Sequence, residues 1–195
     1  MLIYMIRHGQ TDWNAEGRLQ GQKDIGLNET GRGQATRNGE MLGQIIGKDE
    51  GFDYVASPLS RTRETMERLR AAMGIDPLTY RTDERLVELS FGDWEGRTLE
   101  EVSHIAPDRL LARAAQKWSF IPPGEAAESY EILSWRVGAW VRSVEAPTVC
   151  VSHGGVIRSL FRLIADLSEN EAATMPVPQD RILRIDTGAS RMEWL

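Results

Sequence analysis

Two histidines in this chain each stand between an apolar run and a glycine. Arg7-His8-Gly9 follows Leu2–Ile6, and His153-Gly154-Gly155 follows Thr148–Ser152. A third short run, Tyr54–Ala56, leads through Ser57-Pro58-Leu59-Ser60 to Arg61. A neutral imidazole is a nucleophile near neutral pH, and guanidinium forks match the oxygens of phosphate or carboxylate. Phosphoryl transfer asks of a protein mainly positioning and charge stabilisation. An Arg–His pair with a second histidine nearby suits formation of a phosphohistidine. Gly9 and Gly154 would let the main chain approach the ligand and donate N–H groups to it. A strand-end histidine taken alone reads as structural; only the set points to chemistry. Arg61 at a helix start opposes the helix dipole, which favours a ligand as its reason for being there.

These groups can meet only if the chain brings the ends of its apolar runs to one edge. Leu2–Ile6 and Thr148–Ser152 are continuously apolar and read as strands buried on both faces. Tyr54–Ala56 is a second strand in chain order and Leu78–Arg81 a possible third. Asn28 caps a helix that runs to about Ile46 and stops at Gly47. Another helix spans Ser60 to about Ala72, closed by Gly74. Leu86–Trp94 reads as a loop. Two helices broken at Pro107 cover Thr98 to about Lys117, and Pro122-Pro123-Gly124 interrupts the pattern. A long helix spans about Ala127–Val144, and one more follows His153 to about Asp166. Arg181–Asp186 and Arg191–Trp194 form a closing hairpin. Strands alternating with helices imply a three-layer α/β/α fold around a mainly parallel sheet of about six strands. In such sheets the ligand lies beyond the carboxyl ends of the strands, where Arg7, His8, Arg61 and His153 all fall.

The bulk properties narrow the partners. With 195 residues, one domain is expected. A net charge of −6 gives no general attraction for nucleic acid or an anionic membrane. An anionic ligand must therefore be held by a local arginine cluster. The one cysteine, Cys150, excludes an internal disulfide and reads as a buried small hydrophobe. His8, His104 and His153 show no metal-ligand spacing. The apolar start is too short for a signal-peptide core, no run approaches a membrane span, and a cytoplasmic protein is expected.

Five ordered blocks carry a resemblance. They are Leu2–Asn14 with its Arg-His-Gly, then Gly17–Gly21 with Leu27–Ala35, Ser57–Thr65, Leu86–Gly96 and Val151–Gly155. Together they resemble the histidine phosphatase superfamily, which includes cofactor-dependent phosphoglycerate mutases. The resemblance covers most of the chain and implies one phosphoglycerate mutase-like domain over residues 1–195. It implies that His8 takes the phosphoryl group while Arg7, Arg61 and His153 clamp its oxygens, with Asn14 also near the phosphate. Glu88 would be the general acid and then the base that activates water; Glu84, four residues earlier, is its competitor. Gln20 and Gly21 match positions lining the substrate side. No metal or cofactor is implied. Arg7 and Arg61 should keep His8 neutral, whereas His153 is open to protonation when phosphate is bound. Burial near Phe91 and Trp94, or the anionic substrate, would help Glu88 hold its proton.

Mutases of this family carry a longer insertion between the counterparts of Glu88 and His153, with paired arginines for the substrate carboxylate. This chain has neither, so hydrolysis of a small phosphate ester is expected. Mutase-type transfer and a non-catalytic phosphate-ester binder are the alternatives. The segment at about 97–126 should form a helical cap. Arg109, Arg113 and Lys117, at i, i+4 and i+8, read as a solvated basic face or as a contact for a second anionic group. Trp118, Phe120 and Pro122-Pro123 line a pocket wall or form a satellite core. Ala127-Glu128-Ser129 stands where family members often have Gly-Glu-Ser. Monomer and homodimer both remain open.

Overall fold

The computed structural model describes residues 1–47 and 51–195. Six strands form one sheet in the order β3-β2-β4-β1-β5-β6: β1 (Leu2–Arg7), β2 (Asp53–Ala56), β3 (Arg81–Thr82), β4 (Thr148–Ser152), β5 (Ile182–Asp186) and β6 (Arg191–Trp194). β1, β4, β2 and β3 run parallel, while β5 and β6 add an antiparallel edge. The sheet is thus mixed, parallel where the site lies. Alternating side chains split the core in two. Ile3, Met5, Val55 and Cys150 face α6 (Tyr130–Arg142) and α7 (Gly154–Ile164), while Tyr4, Ile6, Tyr54, Val149 and Val151 face α2 (Glu29–Ile46) and α3 (Ser60–Ala72). Helices on both faces give the α/β/α layering, and continuous burial explains why β1 and β4 read as unbroken apolar runs.

Local chemistry sets the helix ends. Asn28 Oδ1 accepts from the Gly31 N–H to start α2, and Gly47, at φ 75°, ends it. α3 has no cap of its own at Leu59; Asp24 reaches across to accept from the Ser60 N–H and hydroxyl. Cys150 is fully buried and burial pushes its thiol well up, so it behaves as a core residue. No helix among the described residues is long and apolar enough to cross a membrane.

Several boundaries differ from expectation. The strand expected at Leu78–Arg81 is the two-residue β3, because Asp76 accepts from the Leu78 N–H and the Thr79 hydroxyl and holds that stretch in a turn. α6 starts three residues later than expected, since Ser129 caps it through the Ile132 N–H. α7 stops at Ile164, and Asp166 turns the chain with φ 52°. Two short helices, α1 (Asp12–Ala15) and α8 (Glu169–Thr174), fall in segments too brief for a periodic signal. The 97–126 segment contains α4 (Leu99–Ile105) and α5 (Pro107–Ala115), split at Pro107. α5 ends before Lys117, so Arg109, Arg113 and Lys117 do not share one helix face. Within the expected Leu86–Trp94 loop, Gly92–Trp94 is a 3-10 turn.

Candidate active site

Parallel register alone brings the histidines together. Arg7 pairs with Ser152 across β1 and β4, and the next residue on each strand is a histidine. Adjacent strands lie about 4.8 Å apart, and the two imidazole centroids are 5.2 Å apart. The His8 N–H donates to the Ser152 carbonyl, continuing the ladder one step beyond the strands. On the other side of β4, the Ser57 N–H donates to the Val151 carbonyl and its Oγ lies 2.8 Å from His153 Nε2.

His8 is almost fully buried, and its Nδ1 lies 2.8 Å from the Gly9 carbonyl. A carbonyl only accepts, so Nδ1 carries the proton and Nε2 keeps the lone pair. Burial, then Arg61 and Arg7, hold His8 neutral by pushing its pKa well below the usual histidine value. His153 is fully buried and is held neutral by burial, Arg61, His8 and Arg7.

The arginines are held by carbonyls and not by acids. Arg61 is fully buried; it donates to Lys23 O and Gly21 O at 2.8 Å each. Arg7 donates to Val177 O at 2.8 Å, and burial pushes its guanidinium down to about 10, still charged at neutral pH. Neither makes an ion pair among the described residues, and Arg7 Nε, Arg61 Nε and His153 Nδ1 are buried polar atoms without a partner. Buried donors of this kind are costly unless a ligand engages them.

A cleft of about 130 Å³ opens onto this group. Arg7, His8, Asn14, Gln20, Gly21, Arg61, Glu88 and Gly154 all line it. His153 is fully buried with its ring edge-on to that of His8, and is not among the lining residues. Exposed Glu84 is not among the lining residues. The Glu88 carboxylate accepts from the Leu89 N–H at 2.8 Å and the Gly155 N–H at 3.1 Å. A Cβ on Gly155 would stand 2.3 Å from Glu88 Oε1, so only glycine leaves room for the carboxylate there. Gly21, expected to face substrate, lines the cleft while its carbonyl holds Arg61. Gly9 differs from expectation: its N–H donates to Thr65 Oγ1 and is not available to a ligand. Gly9 also packs on Gly31, where a Cβ would strike a carbonyl at 2.3 Å. The glycine in Arg-His-Gly thus serves helix packing. Asn14 closes a capping box with Thr11, and its Oδ1 also accepts from Gln179.

Sequence reading missed a second set of residues. Arg136 donates to the carbonyls of Arg85, Val87 and Glu88 and pairs with Glu128 at 2.9 Å. It holds the segment that bears Glu88. Glu128 belongs to the Ala-Glu-Ser stretch, which was the available signal, but its partner lies eight residues on. Gln179 Nε2 donates to the His8 carbonyl, and Arg158 lines the cleft beside Arg7. Trp118 belongs to the main core, stacked on Tyr130, while Phe120 stacks on Trp94. His104 is exposed on α4, as read. No group of three His, Cys, Asp or Glu among the described residues is placed to hold a metal.

A doubly covered sheet with two histidines and two arginines at its carboxyl edge defines a phosphate-handling class of α/β protein. The chain belongs to the histidine phosphatase superfamily (branch 1), whose family model matches residues 3–195. It is 37% identical over 177 residues to glucosyl-3-phosphoglycerate phosphatase of Mycobacterium tuberculosis, covering 85% of this chain and 75% of that one. It is 36% identical over 165 residues to phosphoglycerate mutase-like protein 4 of Arabidopsis thaliana, covering 82% and 69%. The solved structure of Bacillus stearothermophilus YhfR superposes with a TM-score of 0.81 at 28% identity, over 99% of this chain and 94% of that one. The chain is thus an enzyme of this superfamily with relatives named as phosphatases.

Proposed function

We propose that this protein hydrolyses small phosphate monoesters through a phosphohistidine on His8. His8 Nε2 attacks phosphorus and forms the N–P bond as the ester P–O bond breaks. Glu88 passes its proton to the leaving oxygen, which departs as the alcohol. Glu88 then takes a proton from water, the water oxygen attacks phosphorus, the N–P bond breaks, and phosphate leaves with His8 neutral again. Arg7 and Arg61 offset the charge on the transferring oxygens, His153 holds a further oxygen, and Asn14, Gln20 and the Gly154 main chain border the group. Glu88 is a better fit than Glu84 because it shares the cleft with His8.

The observation that carries this reading is the state of His8. Its Nδ1 proton is committed to Gly9 O, its ring is neutral, and two charged guanidiniums flank it in one cleft. The test is rapid non-acidic quenching during turnover of a phosphate-ester panel, followed by peptide mass spectrometry. A phosphorylated His8 peptide and free phosphate are expected, and glucosyl-3-phosphoglycerate belongs in the panel because a relative is named for it. Absence of the phosphopeptide at all times, with no phosphate released, would leave a binding protein. Isomerised phosphoglycerate outrunning free phosphate would make it a mutase.

A further inference from the structure

Asn38 is a buried amide in the middle of α2, a place where helices take asparagine reluctantly. Its Nδ2 donates at 3.0 Å to the main-chain carbonyl of Gln179, far along the chain. Gln179 closes the stretch Pro176-Val177-Pro178-Gln179, whose prolines stiffen the backbone. This strap holds three parts of the phosphoryl site. Val177 O accepts from Arg7 at 2.8 Å, and Gln179 Nε2 donates to His8 O and to Asn14 Oδ1 at 3.0 Å each.

The direction of each amide follows from its partners. His8 O can only accept, so the Gln179 atom beside it is the nitrogen, and its two protons serve His8 O and Asn14. Asn14 receives that second proton and the Thr11 N–H, at 3.2 Å, on one atom, which must be Oδ1. Both lone pairs of Oδ1 are then taken. Asn14 Nδ2 donates to no other described residue, and Asn14 lines the cleft with His8. The end of the amide left for a ligand is thus a donor. Turned over, the amide would offer Oδ1 to the oxygens of a phosphoryl group, acceptor against anion. A glutamine serving the His8 carbonyl alone would need one proton there and could give the other to solvent, since Gln179 is half-buried.

We infer that Gln179 is a positioning residue for the phosphoryl site: it turns the Asn14 amide so that Nδ2 faces the transferring oxygens, in register with His8. This rests on the phosphatase reading for the place of the phosphoryl group at His8. The Thr11 N–H alone would leave one lone pair of Oδ1 open and the amide less closely held. Asn38 and the two prolines act one step further back, by fixing the main chain that carries Gln179.

The test is a double-mutant cycle on the intact chain, read as the dissociation constant of inorganic phosphate. Gln179→Met keeps the length of the side chain and removes its donors. It should weaken phosphate binding about tenfold in the otherwise wild-type protein and about twofold or less in Asn14→Ala, because the group it acts through is gone. Gln179→Ala should repeat the pattern, and replaces the methionine variant should that one fail to fold. An equal loss in both backgrounds, or no loss in the wild-type background, overturns the role and leaves Gln179 to packing or to the His8 carbonyl. The kcat/KM for p-nitrophenyl phosphate should fall by the same factors, and additive losses there overturn the role as well. Coupling in phosphate binding without hydrolysis of any ester supports the positioning while the hydrolytic reading fails. A wild-type protein that binds no phosphate sinks both.

Discussion

The phosphoryl end of the cleft and the cationic segment outside it are built on different principles. At the phosphoryl end, His8 and His153 sit one residue beyond paired positions of two adjacent parallel strands, and Arg61 opens the helix after a third. These groups are buried, and the hydrogen-bond ladder of the sheet fixes their spacing. Outside the cleft, Arg113 and Lys117 come from a helix that ends at Ala115 and from the chain just past it; both are partly buried, and the Ala173 carbonyl steadies Lys117. Rigid backbone sets the first end, so it can hold a reacting phosphorus to within fractions of an ångström. Loop and helix-end backbone sets the second, which leaves its charges less narrowly placed.

That contrast predicts a hierarchy of effects. On the proposed mechanism His8→Ala removes the covalent path and should lower phosphate release by about 10⁴-fold or more, with no phosphopeptide; steady-state release above that level would break the division of roles. Glu88→Gln should slow turnover by about 10²–10³-fold. The phosphohistidine should still be detectable with an ester whose leaving group needs no proton, such as p-nitrophenyl phosphate. Arg136→Gln should cost about tenfold in kcat and shift the pH–rate profile with little change in KM, because Arg136 touches Glu88 only through its main chain. A KM effect as large as the kcat effect would move Arg136 into substrate contact. Changes at Lys117 and Arg113, which do not line the cleft, should stay smaller still.

The phosphoryl end should also leave a mark on stability. Both histidines are neutral when folded but protonate near pH 6.5 when unfolded. Below that value the unfolded chain binds more protons, so stability falls as pH falls. The two together should remove roughly 2–3 kcal/mol between pH 7 and 5.5. Urea midpoints at the two pH values measure this. His8→Ala should lose about half the dependence, and an equal slope in the variant would show that His8 is solvated.

Much of the phosphoryl end was legible in the sequence because its cause is local. Continuous apolar runs mark buried parallel strands, and whatever follows them arrives at one edge. Arg7, His8, Arg61 and His153 could be named on that basis, and Asn28 and Gly47 mark helix ends through hydrogen bonds to near neighbours. Glu88 was legible only through resemblance, since no strand delivers it. Gly9 was misread because its contact with Gly31 on α2 lies 22 positions away along the chain. Asp24 capping α3 and Arg136 holding the Glu88 segment escaped for the same reason.

The sequence by itself determined which side chains could do chemistry, and that three strands would carry them to one edge. It also required a local basic cluster, because the chain as a whole is acidic. Only the tertiary structure decided that Arg158 lines the cleft beside Arg7, that Gly155 leaves room for the Glu88 carboxylate, and that Lys117 leaves its helix for the Ala173 carbonyl. Short-range periodicity and hydrogen-bonding rules act between neighbours in sequence. Charge–charge spacing and close approach depend on distances that exist only once the chain has folded.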